Sequence, residues 1–287
     1  MGSPSPLDLV TGAFGNTGAQ ITALLHDAGH QVRTLTAHAP AAPGDVDVRP
    51  WDAIGPAFEG VTTFYNTFWM RTGNPGSAGR DYSQAVARST ALIEAAAAAG
   101  VSRIVHLSVA HADHPKAAKY AYHAAKAHVE KLVVSTGIEH TIVRPALIFG
   151  GGPGMVDQLA MVLRRSPVMG IAGDGAYRVR PVHVDDVARL CVHGPAGVVD
   201  AVGPDRPTFE ELVRAVAVAI GTRRVFVHLP APVVIAAGRA LGKLAREELI
   251  TADELRSTIE GLADTDGPAT GEVGILAWLA EHGVARS

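Results

Sequence analysis

The residues with the clearest chemical potential are a tyrosine and a lysine four positions apart, Tyr122 and Lys126. The alanine-rich stretch from Ala117 to Glu130 predicts a helix, on which side chains at this spacing share one face. A phenol titrates near about pH 10 in water, and a neighbouring ammonium lowers that pKa by favouring the phenolate. Such a phenol can donate a proton to a carbonyl oxygen or remove one from an alcohol. By itself the spacing usually marks a solvated helix face, so its meaning depends on the surrounding fold.

A second pattern, Thr11-Gly12-Ala13-Phe14-Gly15-Asn16-Thr17-Gly18, lies near the N-terminus. A mostly apolar run, Leu7 to Val10, precedes it, and a helix-like segment, Ala19 to Ala28, follows it. The order strand, glycine turn, helix directs backbone N–H groups to a helix N-terminus, where a phosphate can bind. Glycines let the backbone approach a pyrophosphate without strain. The pattern favours a dinucleotide ligand, and the alternative is a plain glycine-rich turn.

Composition narrows the class of protein. The chain has 287 residues, which predicts about two domains, and 47% of them are hydrophobic against 18% charged, as in compact globular proteins. The net charge of −3 argues against binding to nucleic acid or to a membrane surface. Cys191 is the only cysteine, so no internal disulfide can form. With no signal-peptide pattern and no apolar segment long enough to span a bilayer, we expect a cytoplasmic protein.

The first half of the chain alternates between short apolar runs and helix-like segments. The clearest helix runs from about Gln84 to Ala99 and is followed by Gly100, a typical C-cap residue. This alternation predicts an α/β fold of the Rossmann type, a doubly wound parallel sheet with helices on both faces. The candidate strands are Leu7–Val10, Gln31–Thr36, Val46–Arg49, Val61–Asn66, Arg103–Ser108 and His140–Val143.

The second half is less regular. Glycines crowd residues 150–154, a helix is predicted over Met155–Arg165, and Tyr177–Val184 is predicted as a strand. Asp185 is predicted to cap the helix that follows this strand. Thr208 and Thr251, each three residues before a glutamate, predict two further helix starts.

We therefore predict a dinucleotide-binding domain over residues 1–146, to which a strand and a helix return at about residues 177–192. A small, mostly helical substrate-binding region is predicted over residues 147–287. Its apolar side chains either shape a substrate pocket of low polarity or pack a helix into the core. They include Val156, Leu159, Met161, Leu163 and Met169.

Together these residues resemble the short-chain dehydrogenase/reductase superfamily. Within it, the chain is similar to the extended and atypical branch that includes the NmrA-like and complex I accessory-subunit-like NAD(P)H-binding proteins. The resemblance covers nearly the whole chain. Besides the glycine turn and the Tyr–Lys pair, it rests on Gly100–Ser108, Ser135–Ile138, Thr141–Ala146 and Pro181–Ala188.

The resemblance implies roles for individual residues. Tyr122 would be the general acid, and Lys126 would adjust its acidity and bind the nicotinamide ribose, with Ser108 as a third catalytic candidate. The remaining implied cofactor-binding residues fall into three groups. They are Gly12, Phe14, Gly15, Asn16 and Gly18 at the diphosphate, Asn66, Thr67 and Ser108 on the nicotinamide side, and Pro145 and Ala146 near the carboxamide.

The chain departs from this family at three places. Ala110 stands where a catalytic serine or threonine is usual, which leaves His111 as another candidate. Val86 occupies the position of the family's proton-relay asparagine. After the second strand stand Ala37 and His38, neither acidic nor arginine. Since no acid would repel a 2′-phosphate, we expect NADP, with NAD as the alternative and with His38 or Arg33 as candidate phosphate partners.

The sequence thus predicts an NAD(P)-dependent oxidoreductase that reduces a carbonyl, or oxidises an alcohol, of a small organic molecule. Two alternatives stay open, a non-catalytic NAD(P)-binding regulator of the NmrA type and an epimerase or isomerase with tightly bound cofactor. A homodimer is a possible assembly. No metal site is predicted, because His111 and His114 have metal-like spacing but no third ligand.

Overall fold

The computed structural model describes residues 5–36, 40, 44–69, 82–152, 154–245 and 252–284. Two sets of elements account for its regular structure. The strands are β1 (Leu7–Thr11), β2 (Gln31–Leu35), β3 (Val46–Arg49), β4 (Val61–Asn66), β5 (Arg103–Leu107), β6 (Glu139–Pro145), β7 (Leu147–Phe149), β8 (Val168–Ala172), β9 (Pro181–His183), β10 (Gly197–Ala201) and β11 (Val225–Leu229). The helices are α1 (Asn16–Asp27), α2 (Ile54–Ala57), α3 (Ser83–Ala99), α4 (Ala121–Ser135), α5 (Met155–Arg165), α6 (Val184–His193), α7 (Phe209–Ala219), α8 (Ala231–Ala245), α9 (Ala252–Ile259) and α10 (Ile275–His282).

The centre of the molecule is a seven-stranded sheet in the order β10-β6-β5-β4-β1-β2-β3. Every pair of neighbouring strands in it is parallel. The direction in which successive strands are added reverses between β1 and β4, and sheets of this kind bind ligands at the carboxyl ends of the strands beside such a reversal. The predicted doubly wound parallel sheet is confirmed.

Both faces of this sheet are covered because its central strands are apolar on alternate sides. Leu9, Phe64 and Ile104 pack with side chains of α3 and α4 on one face. Val10 and Val105 pack with α1 and α6 on the other face. The carboxyl edge of the sheet is left for the loops that follow β1, β4 and β5.

A second core lies in the later part of the chain. Buried apolar residues of α5, β8, α7 and α10 form it, and β8 pairs in parallel with β11. Two carboxylates fix the last described segment there. Asp186 accepts hydrogen bonds from the N–H groups of Glu272 and Val273, each at 3.1 Å, and Asp205 accepts one from Leu276 at 2.9 Å.

Most of the predicted elements are present. The six predicted strands of the first half are β1 to β6, each end within one residue of its prediction except that β6 ends two residues later, at Pro145. The segment Tyr177–Val184 was too long a prediction, since only Pro181–His183 forms a strand. Asp185 is not the cap, because α6 begins at Val184 and His183 accepts the N–H of Asp185. At Thr208 the predicted capping box is present, whereas Thr251 lies outside the described residues.

The sequence did not reveal β7, β8, β10 and β11. The predicted helical region therefore holds short strands beside α5 and α7–α10, and β10 extends the main sheet next to β6. The boundary at residue 146 stays a prediction. In the described part of the chain, no helix combines the length and the apolar composition needed to cross a bilayer.

Candidate functional site

The glycine turn after β1 is built as an anion-binding site. Gly12 has φ +74°, which side-chain-bearing residues rarely adopt, and a Cβ on Gly18 would overlap the carbonyl oxygen of Gly12. The first helical hydrogen bond runs from the N–H of Ala19 to the carbonyl of Gly15, at 2.8 Å. The N–H groups that precede it point out of the N-terminus of α1, where no side chain caps the helix.

A second glycine-rich segment packs over this turn. A Cβ on Gly151 would overlap the side-chain oxygen of Asn16, and Gly152 lies beside the same amide. Among the described residues this Asn16 Oδ1 is buried without a hydrogen-bond partner. Gly12, Gly15, Asn16 and Gly18 are therefore together as predicted, with Phe14 38% exposed at the tip of the turn.

The residues after β4 divide between the edge of the sheet and its interior. Thr67 lies at the edge, where its Oγ1 donates to the carbonyl of Thr11 at 2.5 Å and a Cβ on Gly12 would stand 3.6 Å away. Asn66 is instead 1% exposed, and its Nδ2 lies 3.3 Å from Nδ1 of His106. Thr67 therefore adjoins the glycine turn, while the Asn66 side chain is held inside the sheet.

Lys126 is fixed at the carboxyl end of β5. Its side chain is 3% exposed, and Nζ donates to the carbonyl oxygen of Leu107 at 2.6 Å. The same ammonium lies 3.9 Å from the ring centroid of Trp69, a cation–π contact. Lysine is rarely this buried without a partner, and here a carbonyl and an indole face hold the charge.

Tyr122 lies one helical turn before Lys126 and is half-buried. Its ring makes an edge contact with Trp69, with centroids 6.1 Å apart, and a tilted contact with Tyr82 at 5.5 Å. Trp69 and Tyr82 are themselves stacked at 6.0 Å. From the sequence, Trp69 could either flank a ligand or belong to the core. Only its position after β4, next to the predicted site, could have signalled this contact.

The hydroxyl of Ser108 is hydrogen-bonded to a member of a buried ion pair. Its Oγ donates to Glu130 Oε1 at 2.5 Å, and the side chain is 2% exposed. Glu130 also accepts two hydrogen bonds from Arg144, at 2.9 and 2.5 Å. Because the hydroxyl proton is directed at Glu130, the geometry argues against the predicted catalytic role of Ser108. Glu130 was missed, although it continues the four-residue spacing of Tyr122 and Lys126.

His111 has an unusual backbone. Its φ is 57°, and in the described part of the chain every other residue with a positive φ is a glycine. Its Nε2 lies 2.5 Å from the carbonyl of Asp264, which ties the loop after β5 to the later part of the chain. Ala110, just before it, is buried.

Within the described residues no group of His, Cys, Asp or Glu side chains is arranged to hold a metal ion.

Two histidines near the Tyr–Lys pair are kept neutral. Burial, and then the charge of Lys126, hold the pKa of His106 well below its usual value. Burial, with a smaller contribution from His111, lowers the pKa of His123 to about 4. At neutral pH neither imidazole competes with Lys126 as a cation beside the phenol of Tyr122.

At the end of β6, Pro145 and Ala146 are held by backbone hydrogen bonds. The carbonyl of Pro145 accepts the N–H of Ala110 at 2.9 Å, and the N–H of Ala146 donates to Ala201 at 3.4 Å. Both residues lie at the carboxyl edge of the sheet, and their predicted contact with the carboxamide stays a prediction.

Of the two candidate partners for a 2′-phosphate, the structure describes only Arg33. His38 lies outside the described residues. Arg33 donates to Asp47 at 2.7 Å and to the carbonyls of Ala57 and Glu59 at 2.9 and 3.0 Å. These carbonyls precede β4, so the guanidinium of Arg33 is held towards the amino edge of the sheet, and the predicted role of Arg33 is wrong.

Sequence reasoning missed Arg49, which ends β3. Its carbonyl accepts the N–H of Thr36, which places Arg49 beside the end of β2. Its side chain is half exposed and pairs with Asp47 at 2.9 Å.

Known proteins resemble the chain in sequence. Residues 12–193 match a protein family described as NAD(P)H-binding. An uncharacterized protein of Mycobacterium tuberculosis is 30% identical over 233 residues, which cover 77% of this chain and 24% of that protein. The chain thus spans about a quarter of the length of the mycobacterial relatives that it matches. A ceramide reductase of Caulobacter vibrioides is 29% identical over 244 residues, 80% of this chain and 75% of that enzyme.

Solved structures share the fold. Triphenylmethane reductase from Citrobacter sp., complexed with NADP(H), superposes with a TM-score of 0.75 at 17% identity and covers 96% of this chain and 99% of that one. A nucleoside-diphosphate-sugar epimerase from Staphylococcus aureus has a TM-score of 0.72 at 19% identity and covers 96% and 100%. Because the family match extends over more than half of its length, the chain belongs to the NAD(P)H-binding family.

Proposed function

We propose that this protein is an NADP-preferring oxidoreductase that interconverts a carbonyl and an alcohol, with Tyr122 as general acid and base. One observation carries the proposal. The buried ammonium of Lys126 is fixed on the carbonyl of Leu107, one helical turn from the half-buried phenol of Tyr122. The pair stands at the carboxyl edge of a nucleotide-binding sheet, where ligands of such folds bind.

The residues of the glycine turn fit a dinucleotide. The open N–H groups at the start of α1 would donate hydrogen bonds to its diphosphate, and the unpartnered Oδ1 of Asn16 would accept one from a hydroxyl of the cofactor. Thr67, Pro145 and Ala146 would line the nicotinamide side. The bound cofactor supplies the hydride of the reaction.

The chain itself supplies the proton. In reduction, Tyr122 donates its hydroxyl proton to the substrate's carbonyl oxygen, and the nearby charge of Lys126 stabilises the phenolate that remains. In oxidation the phenolate takes the proton back. The indole of Trp69 keeps bulk water from the ammonium, so the attraction between ammonium and phenolate is screened less than at a surface.

The preference for NADP rests on charge. Ala37 and His38, which follow β2, carry no negative charge that would repel a 2′-phosphate. Arg49 ends the neighbouring strand β3, and its half-exposed side chain pairs with Asp47 at 2.9 Å. We propose that Arg49 exchanges this pairing for the 2′-phosphate when NADP binds, whereas Arg33 stays held by two backbone carbonyls as well as by Asp47.

Replacing Tyr122 by phenylalanine tests the proposal. NADPH consumption with a panel of carbonyl compounds should fall by about 10²–10⁴-fold, because the proton donor is removed while the ring contacts remain. NADPH binding, measured by calorimetry, should be nearly unchanged. Tyr120→Phe is the matched control, since it removes a phenol hydroxyl two residues away and should keep turnover. Full activity of the Tyr122→Phe variant would remove Tyr122 from the mechanism.

Two alternatives have support of their own. Ser108 is bonded to Glu130, and Ala110 stands at the usual position of a catalytic serine or threonine; both observations favour a nucleotide-binding regulator. The fold shared with a sugar-nucleotide epimerase favours isomerisation with retained cofactor. Product formation without net consumption of nicotinamide would indicate the epimerase. Cofactor binding with no turnover on any substrate would indicate the regulator. The cytoplasmic location, the small-molecule substrate and the homodimer stay predictions.

A further inference from the structure

The later part of the chain contains an apolar cleft of about 360 Å³ between α5, β8, α7, β11, α8 and α9. Its walls include Leu159, Met169, Phe209, Leu229, Val234 and Leu255. Gln158 and Ser166 contribute polar side chains, and no charged residue lines it within the described part of the chain. In size and lining, this space has the properties of a small-molecule binding site.

Two glycines keep the cleft open. Gly170 and Gly238 lie in its wall, and neither has a positive φ, so the backbone does not require glycine at these positions. A Cβ on Gly170 would make ordinary contacts, at 3.5 Å to Leu229 and 3.6 Å to Val234, and a Cβ on Gly238 would meet nothing within 4 Å. Glycine weakens α8 relative to alanine. The space is therefore not explained by packing, since protein interiors leave few voids larger than a water molecule.

The cleft is joined to the cofactor turn by α5. Gly151 and Gly152 pack on Asn16, and α5 begins shortly after them, at Met155. Gln158, whose N–H bonds to the carbonyl of Gly154, already lines the cleft. One wall of the cleft thus starts one helical turn from the loop that covers the N-terminus of α1.

We infer that this cleft binds the aliphatic chain of the substrate, an uncharged long-chain carbonyl compound or alcohol. The described lining residues carry no charge that could pair with an ionic group, which favours an uncharged ligand. The walls are aliphatic apart from Phe209, whose face is already stacked on Tyr177 at 5.2 Å. An aliphatic chain matches such walls better than an aromatic ring that needs a stacking partner. The inference rests on the proposed carbonyl chemistry for the substrate's reactive end.

Calorimetry tests binding directly. The protein is titrated with straight-chain primary alcohols from hexanol to decanol. The dissociation constant should fall about fourfold per added methylene, the factor expected for burying one CH₂ group. A dissociation constant independent of chain length, or no binding of decanol, would overturn the inference.

Three variants locate the binding. Gly238→Phe should fill the cleft and weaken decanol binding by about tenfold or more, because several methylenes lose their place. Gly238→Ala should bind as the wild type does. So should Ala236→Phe, which adds the same ring at an exposed position of α8 that does not line the cleft. Equal binding by Gly238→Phe and wild type would show that the alcohols bind elsewhere and would sink the assignment.

Reduction of hexanal and decanal with NADPH separates this inference from the proposed function. If both hold, the wild type reduces decanal with the lower KM, and Gly238→Phe loses that advantage. Chain-length-dependent alcohol binding without any aldehyde reduction supports an aliphatic site and contradicts the reductase. Reduction of both aldehydes with equal KM supports the reductase and contradicts the cleft as its chain-binding site.

Discussion

Two glycine-rich turns in this molecule use glycine for different reasons. In residues 12–18, the positive φ of Gly12 and the close approach of Gly18 to the Gly12 carbonyl are both internal to one short segment. In residues 150–152, the obstacles come from elsewhere, because a Cβ on Gly150 would overlap His183 and one on Gly151 would overlap Asn16. The first turn requires glycine because of contacts within the turn itself. The second requires glycine because residues distant in the sequence pack against it in the folded chain.

Gly18→Ala should have the largest effect. The new Cβ would overlap a backbone carbonyl, which cannot rotate away as a side chain can. We expect a loss of more than about 3 kcal/mol in the free energy of unfolding, or NADPH binding weakened by about tenfold or more. Urea unfolding and NADPH calorimetry measure the two quantities. If both matched the wild type, α1 would not depend on this close approach.

Gly151→Ala should have an intermediate effect. Its φ of +75° costs a side-chain-bearing residue about 1–2 kcal/mol, and the methyl group displaces the Asn16 amide from the cofactor turn. NADPH binding should weaken. Because Asn16 Oδ1 is the nearest obstacle, ahead of Val184 Cγ1, a double-mutant cycle with Asn16→Ala should give a coupling free energy of about 0.5–3 kcal/mol. Strictly additive effects would mean that the two turns are energetically independent.

Gly100→Ala should have the smallest effect and isolates the cost of backbone conformation alone. Gly100 ends α3 with φ +74°, and a Cβ there would meet nothing within 4 Å. The free energy of unfolding should fall by about 1 kcal/mol, with NADPH affinity unchanged. If NADPH affinity also fell, a general loss of stability would be enough to weaken NADPH binding. The affinity losses of the other two variants could then not be assigned to their turns.

The same distinction explains how much could be predicted from the sequence. Most of the strands β1 to β6 are short, largely apolar runs separated by helices, and the first glycine turn and the Tyr122–Lys126 spacing are local patterns. Each of these could be identified from adjacent residues. By contrast, exposed positions of β8 and β11 are valines, Val168 at 45% and Val225 at 62%, so no alternation of polar and apolar residues marks these strands in the sequence.

Roles that depend on distant partners could not be predicted. Ser108 has the residue type and position of a catalytic hydroxyl, yet in the folded chain it donates to Glu130, which is itself paired with Arg144. Arg33 has the charge for a phosphate but is held by Asp47 and the carbonyls before β4. For both residues a hydrogen-bonding partner far along the sequence decides where the polar group points.

The pairing of β10 with β6 makes the two parts of the chain interleaved. A polypeptide that stopped after Ala146 would leave β6 as a bare sheet edge and would uncover the side of α1 against which α6 packs. Open edges of this kind recruit strands from other molecules. The first 146 residues, although they hold the glycine turn and the Tyr–Lys pair, should therefore aggregate as an isolated fragment, and excision of the later part should abolish nucleotide binding.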